Sequence, residues 1–118
     1  MGEILALLLI GHALCDYPLQ GEWLSRAKNF RVAVMPGEVI WPAALASHAA
    51  IHAGAVRIAT GSWILALLEF VAHAGIDHAK CAGRLSFNQD QLLHLSCKLL
   101  WVALIALGAV EAAPLRPF

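Results

Sequence analysis

Every aspartate in this 118-residue sequence has a histidine four positions away, and a further pair with this spacing consists of two histidines. The four pairs are His12/Asp16, His48/His52, His73/Asp77 and Asp90/His94. Residues four apart lie above one another on a helix, with Cβ atoms about 5–6 Å apart, so each pair can present two ligand groups together. At this histidine content, three such aspartate pairs would arise by chance about once in a thousand sequences.

Imidazole and carboxylate groups in this pattern favour a divalent metal site, because both are ligands of zinc, iron and manganese. Eight such groups are enough for two ions, and zinc or manganese is the first expectation. The predicted metal ligands are His12, Asp16, His48, His52, His73, Asp77, Asp90 and His94. Glu69 lies four residues before His73 on the same face, where it is predicted to be a bridging ligand or a general base that acts on metal-bound water.

Three further polar residues are expected to support the metal site. Lys80 lies three residues beyond Asp77 and is predicted to pair with that carboxylate or with an anionic substrate. Gln20 and Gln91 are predicted to orient the ligands through hydrogen bonds, as residues behind metal ligands commonly do. His78 follows Asp77 directly and is therefore expected to point elsewhere on the helix.

The main alternative to a metal site is an internal polar network that fixes the register of the helices. A haem site is less favoured, because axial histidines must face each other from different helices and only His48 and His52 form a pair without an aspartate. Arg57 and Lys98 are expected to snorkel toward a membrane surface rather than to take part in chemistry.

Four apolar segments, bounded by glycine, proline or capping residues, must position these pairs. Each segment is longer than an ordinary strand, so the sequence predicts an all-α fold. The predicted helices of this single domain, 1–118, span residues 2–16, 41–59, 62–80 and 86–113. Pro42 suits the first turn of the second helix, and Ser86 and Gln89 have capping-box spacing. In an up-down-up-down four-helix bundle, all four pairs fall toward the same end.

The composition indicates that this bundle lies in a membrane. Hydrophobic residues make up 60% of the chain and charged residues 14%, against about 45–50% and about 25% in soluble domains. A bilayer span needs about 17–25 apolar residues, which the fourth segment provides easily, the second and third only marginally, and the short first segment least well. We therefore predict a transmembrane, multi-pass protein of the inner (cytoplasmic) membrane with the lipid bilayer as its partner. A buried soluble bundle is the alternative.

The charged residues indicate an orientation and exclude one class of partner. Basic and acidic residues balance at eight each, so no nucleic-acid surface is expected. The positive-inside rule places the first and third connections in the cytoplasm. These connections hold Arg26, Lys28, Arg31, Lys80 and Arg84. Both termini, with Arg116 in the tail, are then expected on the outer side. The sequence leaves open whether the protein forms homo-oligomers.

The pairs belong to longer motifs that cover nearly the whole chain in order. These motifs are "HALCDYPLQ" (12–20), Lys28, "HAAIH" (48–52), "HAGIDHAK" (73–80) and "DQLLH" (90–94). Together they resemble domain of unknown function 3307, a family of small phage and bacterial membrane proteins. The resemblance implies as signature positions His12, Asp16, Gln20, Lys28, His48, His73, Asp77, Lys80, Asp90, Gln91 and His94. The family usually has phenylalanine where Tyr17 stands, and it has no established activity.

A remoter resemblance concerns the HxxxD spacing. It is similar to pairs in zinc-dependent phospholipase C, P1-type nucleases and related membrane hydrolases, which implies phosphoester hydrolysis. One predicted function is thus a membrane-embedded, metal-dependent hydrolase that acts on a phosphoester or lipid head group. The other is a non-enzymatic phage or bacterial membrane accessory protein whose buried His/Asp network is structural. The sequence leaves open whether the protein is an enzyme.

Overall fold

The computed structural model describes residues 1–113, and the regular structure of this part is entirely helical. Its five helices are α1 (Gly2–Asp16), α2 (Gly21–Ala27), α3 (Trp41–Thr60), α4 (Trp63–Cys81) and α5 (Phe87–Ala106). The prediction of an all-α fold is confirmed. Residues 114–118 of the predicted domain, including Arg116, lie outside the described residues.

The four long helices begin and end where local signals in the sequence require it. The hydroxyl of Ser62 accepts a hydrogen bond from the Leu65 amide at 3.1 Å and starts α4. Ser86 and Gln89 form the predicted capping box at the start of α5. Gly61 ends α3 with φ of 72°, and a Cβ at this position would lie 1.8 Å from the Ala113 carbonyl oxygen. Glycine is therefore required there for both conformation and space.

Two elements differ from the predicted helices. The short helix α2 lies between the first two predicted helices, where no helix was predicted, because seven residues are too few to show a periodic apolar pattern. The last helix ends at Ala106 instead of residue 113. Gly108 has φ of 73°, and the amides of Gly108 and Ala109 donate to the carbonyls of Ile105 and Leu104 at 3.0 Å. This Schellman motif ends the helix within an apolar run that hydropathy alone would continue.

The long helices form a closed ring in which α1 packs against α3 and α5, while α4 packs between α3 and α5. The short connections from α3 to α4 and from α4 to α5 make these neighbours antiparallel. An apolar core fills the half of the bundle where α3 ends and α4 begins. This core consists of Leu8, Val56, Ala59, Leu65 and Trp101. The opposite half is therefore left to the polar side chains.

Helix length and hydropathy are the basis of the membrane prediction. Helices α3 and α5 have 20 residues each, α4 has 19 and α1 has 15. Within residues 1–113, no helix taken singly is both long and apolar enough for a membrane span, whereas α1 and α2 meet that criterion only together, across a bend of 84°. Membrane crossing stays a prediction.

Candidate metal centre

Six side chains from the four long helices meet at the end of the bundle where α1 and α4 finish and α3 and α5 begin. We call them the ligand cluster; they are His12, Asp16, His48, His52, His73 and His94. The i,i+4 spacing puts both members of a pair on one face of α1 or α3, and the up-down-up-down course of the chain puts these faces at one level. Sequence spacing and topology together thus produce the cluster.

The ligand cluster contains two groups that could each hold a metal ion. Asp16, His48, His52 and His73 form the first group, and His12, His73 and His94 form the second, so that His73 belongs to both. Within each group the ligand atoms lie within 4.8 Å of one another. Ligands bound at about 2.0–2.2 Å in a tetrahedral site lie about 3.3–3.6 Å apart, so side-chain movements of up to about 1 Å suffice for binding.

Asp16 lies between three imidazole rings. Its Oδ1 is 2.9 Å from Nε2 of His52 and 3.4 Å from Nε2 of His48, and its Oδ2 is 3.1 Å from Nε2 of His12. The rings of His52 and His73 stack with centroids 3.7 Å apart. One carboxylate therefore serves imidazoles on two helices in a densely packed group of rings.

Several ring nitrogens of the ligand cluster have no hydrogen bond to the described part of the chain. Both nitrogens of His48, both of His73 and Nδ1 of His12 are buried without such a partner. Buried polar groups are nearly always hydrogen-bonded, and leaving one unpaired costs about 1–3 kcal/mol. A cation bound by one nitrogen of each ring would remove part of that cost. The donor set of imidazoles and one carboxylate fits zinc, iron or manganese.

Asp77 and Asp90, the other two predicted carboxylate ligands, lie beside the two groups and not in them. Asp77 Oδ2 is 2.6 Å from the Lys28 ammonium and 3.8 Å from Nε2 of His48. Asp90 Oδ1 is 3.4 Å from Nε2 of His94. Direct ligation by these two carboxylates stays a prediction.

A small polar pocket of about 60 Å³ lies outside the ligand cluster, and we call it the mouth pocket. Its lining residues are Asp16, Tyr17, Gln20, Lys28, Asp77, Lys80, Phe87, Asp90, Gln91 and His94. A buried water needs about 10–15 Å³ of such space, so the pocket can hold a few water molecules or one small ion. It joins the cluster to the surface, because the Lys80 side chain is 37% exposed.

The predicted supporting residues occupy this pocket. Gln91 donates hydrogen bonds to Asp16 Oδ2 at 3.3 Å and to Asp90 Oδ2 at 3.0 Å. Gln20 donates to the Asp16 carbonyl at 3.2 Å and accepts a short hydrogen bond from Lys28. Lys80 does not pair with Asp77, which is bound by Lys28; instead it lies 3.9 Å from Asp90. Gln91 is thus the glutamine that holds a ligand carboxylate directly.

Glu69 and Lys98 lie on the other side of His73 and do not line the mouth pocket. The Lys98 ammonium donates to Glu69 Oε1 at 2.5 Å, and both residues are 1% exposed. The expectation that Lys98 snorkels is therefore wrong. The i,i+4 rule contained the missed signal, because Lys98 follows His94 by four residues and continues its helix face.

His78 and Arg57 point away from the ligand cluster. The His78 ring lies against Trp41 and Phe30, with centroids 5.1 Å and 4.9 Å away. The Arg57 guanidinium carbon is 5.0 Å from the centre of the Trp63 ring near the other end of the bundle. The sequence expectation that His78 points elsewhere agrees with these contacts.

The fold and the cluster together define a small helical protein with a buried His/Asp centre that could bind metal. The family model for protein of unknown function (DUF3307) matches residues 4–113. The chain belongs to this family. No match was found among curated proteins or among solved structures. The remoter resemblance to phospholipase C and P1-type nucleases therefore has no support from these comparisons.

Proposed function

We propose that this chain is a membrane-embedded metal-binding protein that hydrolyses a phosphoester, in a lipid head group or a smaller molecule, with one or two divalent ions. Zinc or manganese is the expected metal: imidazoles dominate the donor set and favour zinc, and manganese would require further oxygen ligands from the nearby carboxylates. The observation that carries the proposal is the set of buried ring nitrogens of His48 and His73 that lack hydrogen bonds within residues 1–113.

The same observation favours a metal site over a structural polar network. A network that fixes helix register is favourable when every member is satisfied, and a partly satisfied one is worse than an apolar core. Here Asp16 is hydrogen-bonded to His52, whereas the rings of His48 and His73 have no hydrogen bond within residues 1–113. A divalent ion bound by one nitrogen of each ring would account for this arrangement.

The charges of the mouth pocket support an anionic substrate. Its lining includes the carboxylates of Asp16, Asp77 and Asp90 and the ammonium groups of Lys28 and Lys80. The net charge of minus one becomes positive as soon as one divalent ion is bound. A phosphoryl group could then enter with the rest of the substrate outside, since the pocket measures only about 60 Å³. Lys80 is the cation best placed to meet that group, because Lys28 is held by Asp77.

The reaction would divide its chemistry between the ion and the side chains of the mouth pocket. A bound ion supplies Lewis acidity and makes a coordinated water more acidic. Asp77 and Asp90 line the pocket and are placed to take a proton from an attacking water. Glu69 was predicted for this role from sequence, but its position outside the pocket lining favours a different one.

The bilayer part of the proposal is supported by where the apolar side chains lie. Among the described residues, eleven hydrophobic and eleven polar or charged residues are buried. Many large apolar side chains of the long helices are instead exposed, including Ile10, Leu14, Ile58, Ile64, Leu67, Val71, Leu99 and Leu100. Apolar surface of this extent marks an interaction site. A lipid bilayer would cover it on all helices at once, with the basic residues near the mouth pocket on the cytoplasmic side.

Metal analysis of the detergent-purified protein tests the proposal. We expect at least one transition metal ion per chain in the wild type and in His78→Asn, and loss of metal in His48→Asn and His73→Asn. His78 is the matched control because its ring lies outside the ligand cluster. The metal-loaded protein should cleave bis(4-nitrophenyl) phosphate, and the His73 variant should not. If the wild-type protein contains no transition metal and is equally stable with and without chelator, the metal site is refuted and the structural polar network is the remaining hypothesis. Metal binding without any phosphoester cleavage would favour the non-enzymatic accessory protein.

A further inference from the structure

A buried pair of opposite charges lies directly beneath the ligand cluster, between α4 and α5. Glu69 Oε1 accepts a hydrogen bond from the Lys98 ammonium at 2.5 Å, and Oε2 accepts one from the Trp101 indole nitrogen at 2.7 Å. Oε1 is also 3.6 Å from Nδ1 of His73. Glu69, Lys98 and His73 are each 1% exposed.

Stability alone does not explain this pair. Two charges removed from water lose more hydration than they usually recover from each other, and replacing a buried ion pair by apolar residues is often neutral or stabilising. The neighbouring core of Leu65 and Trp101 shows that apolar side chains pack well at this depth. We therefore expect the Glu69 carboxylate to act on a polar neighbour, and His73 is the polar neighbour on the same face of its helix.

We infer that Glu69 is a positioning residue that accepts the Nδ1 proton of His73 and thereby directs Nε2 of His73 to the metal ion. Lys98 and Trp101 hold the Glu69 carboxylate in its orientation through hydrogen bonds to both of its oxygens. This inference rests on the proposed metal site. Metal-binding histidines usually donate their other ring N–H to a carboxylate or a carbonyl, which fixes both the tautomer and the ring orientation.

The contacts around Glu69 leave room for this hydrogen bond. Oε2 is used by Trp101, while Oε1 has one donor, Lys98, and a carboxylate oxygen can accept two. The gap of 3.6 Å between Oε1 and Nδ1 exceeds an ordinary hydrogen bond of about 2.9 Å by about 0.7 Å. Because Glu69 and His73 share one face of α4, a small rotation of either side chain closes that distance.

Two other roles for Glu69 fit the structure less well. As a direct metal ligand Glu69 would have to give up contacts, because it lies outside both groups and its two oxygens accept hydrogen bonds from Lys98 and Trp101. A general base must reach the attacking water, whereas Glu69 is 1% exposed and does not line the mouth pocket. A group that orients the His73 ring is needed on the side of His73 that faces away from the mouth pocket, and Glu69 lies on that side.

The tautomer of His73 tests the inference directly. In ¹⁵N-histidine-labelled, metal-free wild-type protein in detergent, we expect the His73 proton on Nδ1. The ring of His78, which has no contact with Glu69, is the internal control. In the double variant Glu69→Met/Lys98→Met, which removes both charges together and keeps similar volume, the preference for Nδ1–H should be lost. A His73 proton on Nε2 in the wild type would overturn the inference.

Zn²⁺ affinity provides the second measurement, by competition with a chromophoric chelator. The double variant should bind Zn²⁺ about 10–100-fold more weakly than wild type, the usual effect of removing a residue that orients a ligand. Glu69→Gln keeps an acceptor oxygen and should retain the Nδ1–H tautomer with a smaller loss of affinity, which also covers the case that the double variant does not fold. Unchanged affinity in both variants would overturn the inference and leave the metal site standing. A wild type that binds no Zn²⁺ would overturn both.

Discussion

Replacing Asp16 by asparagine should lower stability mainly when metal is present. Asp16 is the carboxylate of the first ligand group and touches His12, His48 and His52 at 2.9–3.4 Å. Asparagine keeps the shape and one acceptor oxygen, so the 2.9 Å contact with His52 can persist. What it removes is the negative charge and one metal ligand.

The size of the effect follows from linkage between metal binding and folding. A ligand at about 1,000 times its dissociation constant stabilises the native state by about 4 kcal/mol. If the lost carboxylate weakens Zn²⁺ binding about 100-fold, the expected loss is about 3 kcal/mol, at about 1.4 kcal/mol per factor of ten. Without metal, Asp16→Asn alters one set of hydrogen bonds and should cost about 1 kcal/mol.

Denaturant unfolding in detergent, with excess Zn²⁺ and with chelator, measures this difference. His78→Asn is the matched control, because the His78 ring packs against Trp41 and Phe30, outside the ligand cluster. Its cost should be similar with and without Zn²⁺. If Asp16→Asn lowers the free energy of unfolding equally in both conditions, the carboxylate has a structural role only and the metal argument is refuted.

Three further predictions concern the fold and the membrane. Gly61→Ala should lower the free energy of unfolding by more than about 1–2 kcal/mol, which is what a left-handed backbone costs a side chain, because its Cβ would also meet the Ala113 carbonyl. Gly37→Ala, where φ is 84° and the space is open, should lose only that backbone cost. Equal losses in the two variants would contradict the packing of Gly61 against Ala113. Ser86→Ala should lower stability by about 0.5–2 kcal/mol in thermal unfolding because the α5 capping box is broken, whereas no change would mean that this cap is dispensable. The protein should stay in the membrane pellet on alkaline carbonate extraction, and release into the supernatant would overturn the bilayer proposal. A cysteine placed near Arg84, in a chain without its native cysteines, should resist an impermeant thiol reagent in spheroplasts. Labelling of that cysteine would invert the proposed orientation.

The parts of the site that depend on spacing within one helix could be predicted from the sequence. Residues four apart share a face whatever the helix packs against, so the pairs on α1 and α3 were predicted to present two ligands each. The turns between α3 and α4 and between α4 and α5 are short, and this connectivity places the start of one helix beside the end of its neighbour. Those two facts were enough to predict that the pairs meet at one level.

Contacts between different elements could not be read in this way. Lys28 reaches Asp77 from the connection after α2, and its position depends on the bend between α1 and α2. The same is true of the rotation of α4 about its axis, which puts His73 into both ligand groups but leaves Asp77 beside them. Hydropathy also misassigned Lys98, because an average over the helix cannot tell a buried ion pair from a charge that reaches water.

Because His73 belongs to both ligand groups, metal binding at the two positions would be a coupled equilibrium. An ion bound by Asp16, His48, His52 and His73 withdraws one of the three donors from the other group, so occupancy of either position changes the affinity of the other. By linkage this change is reciprocal and equal in both directions. A Zn²⁺ titration would then not follow two independent identical sites, and replacing His73 would weaken binding at both positions together.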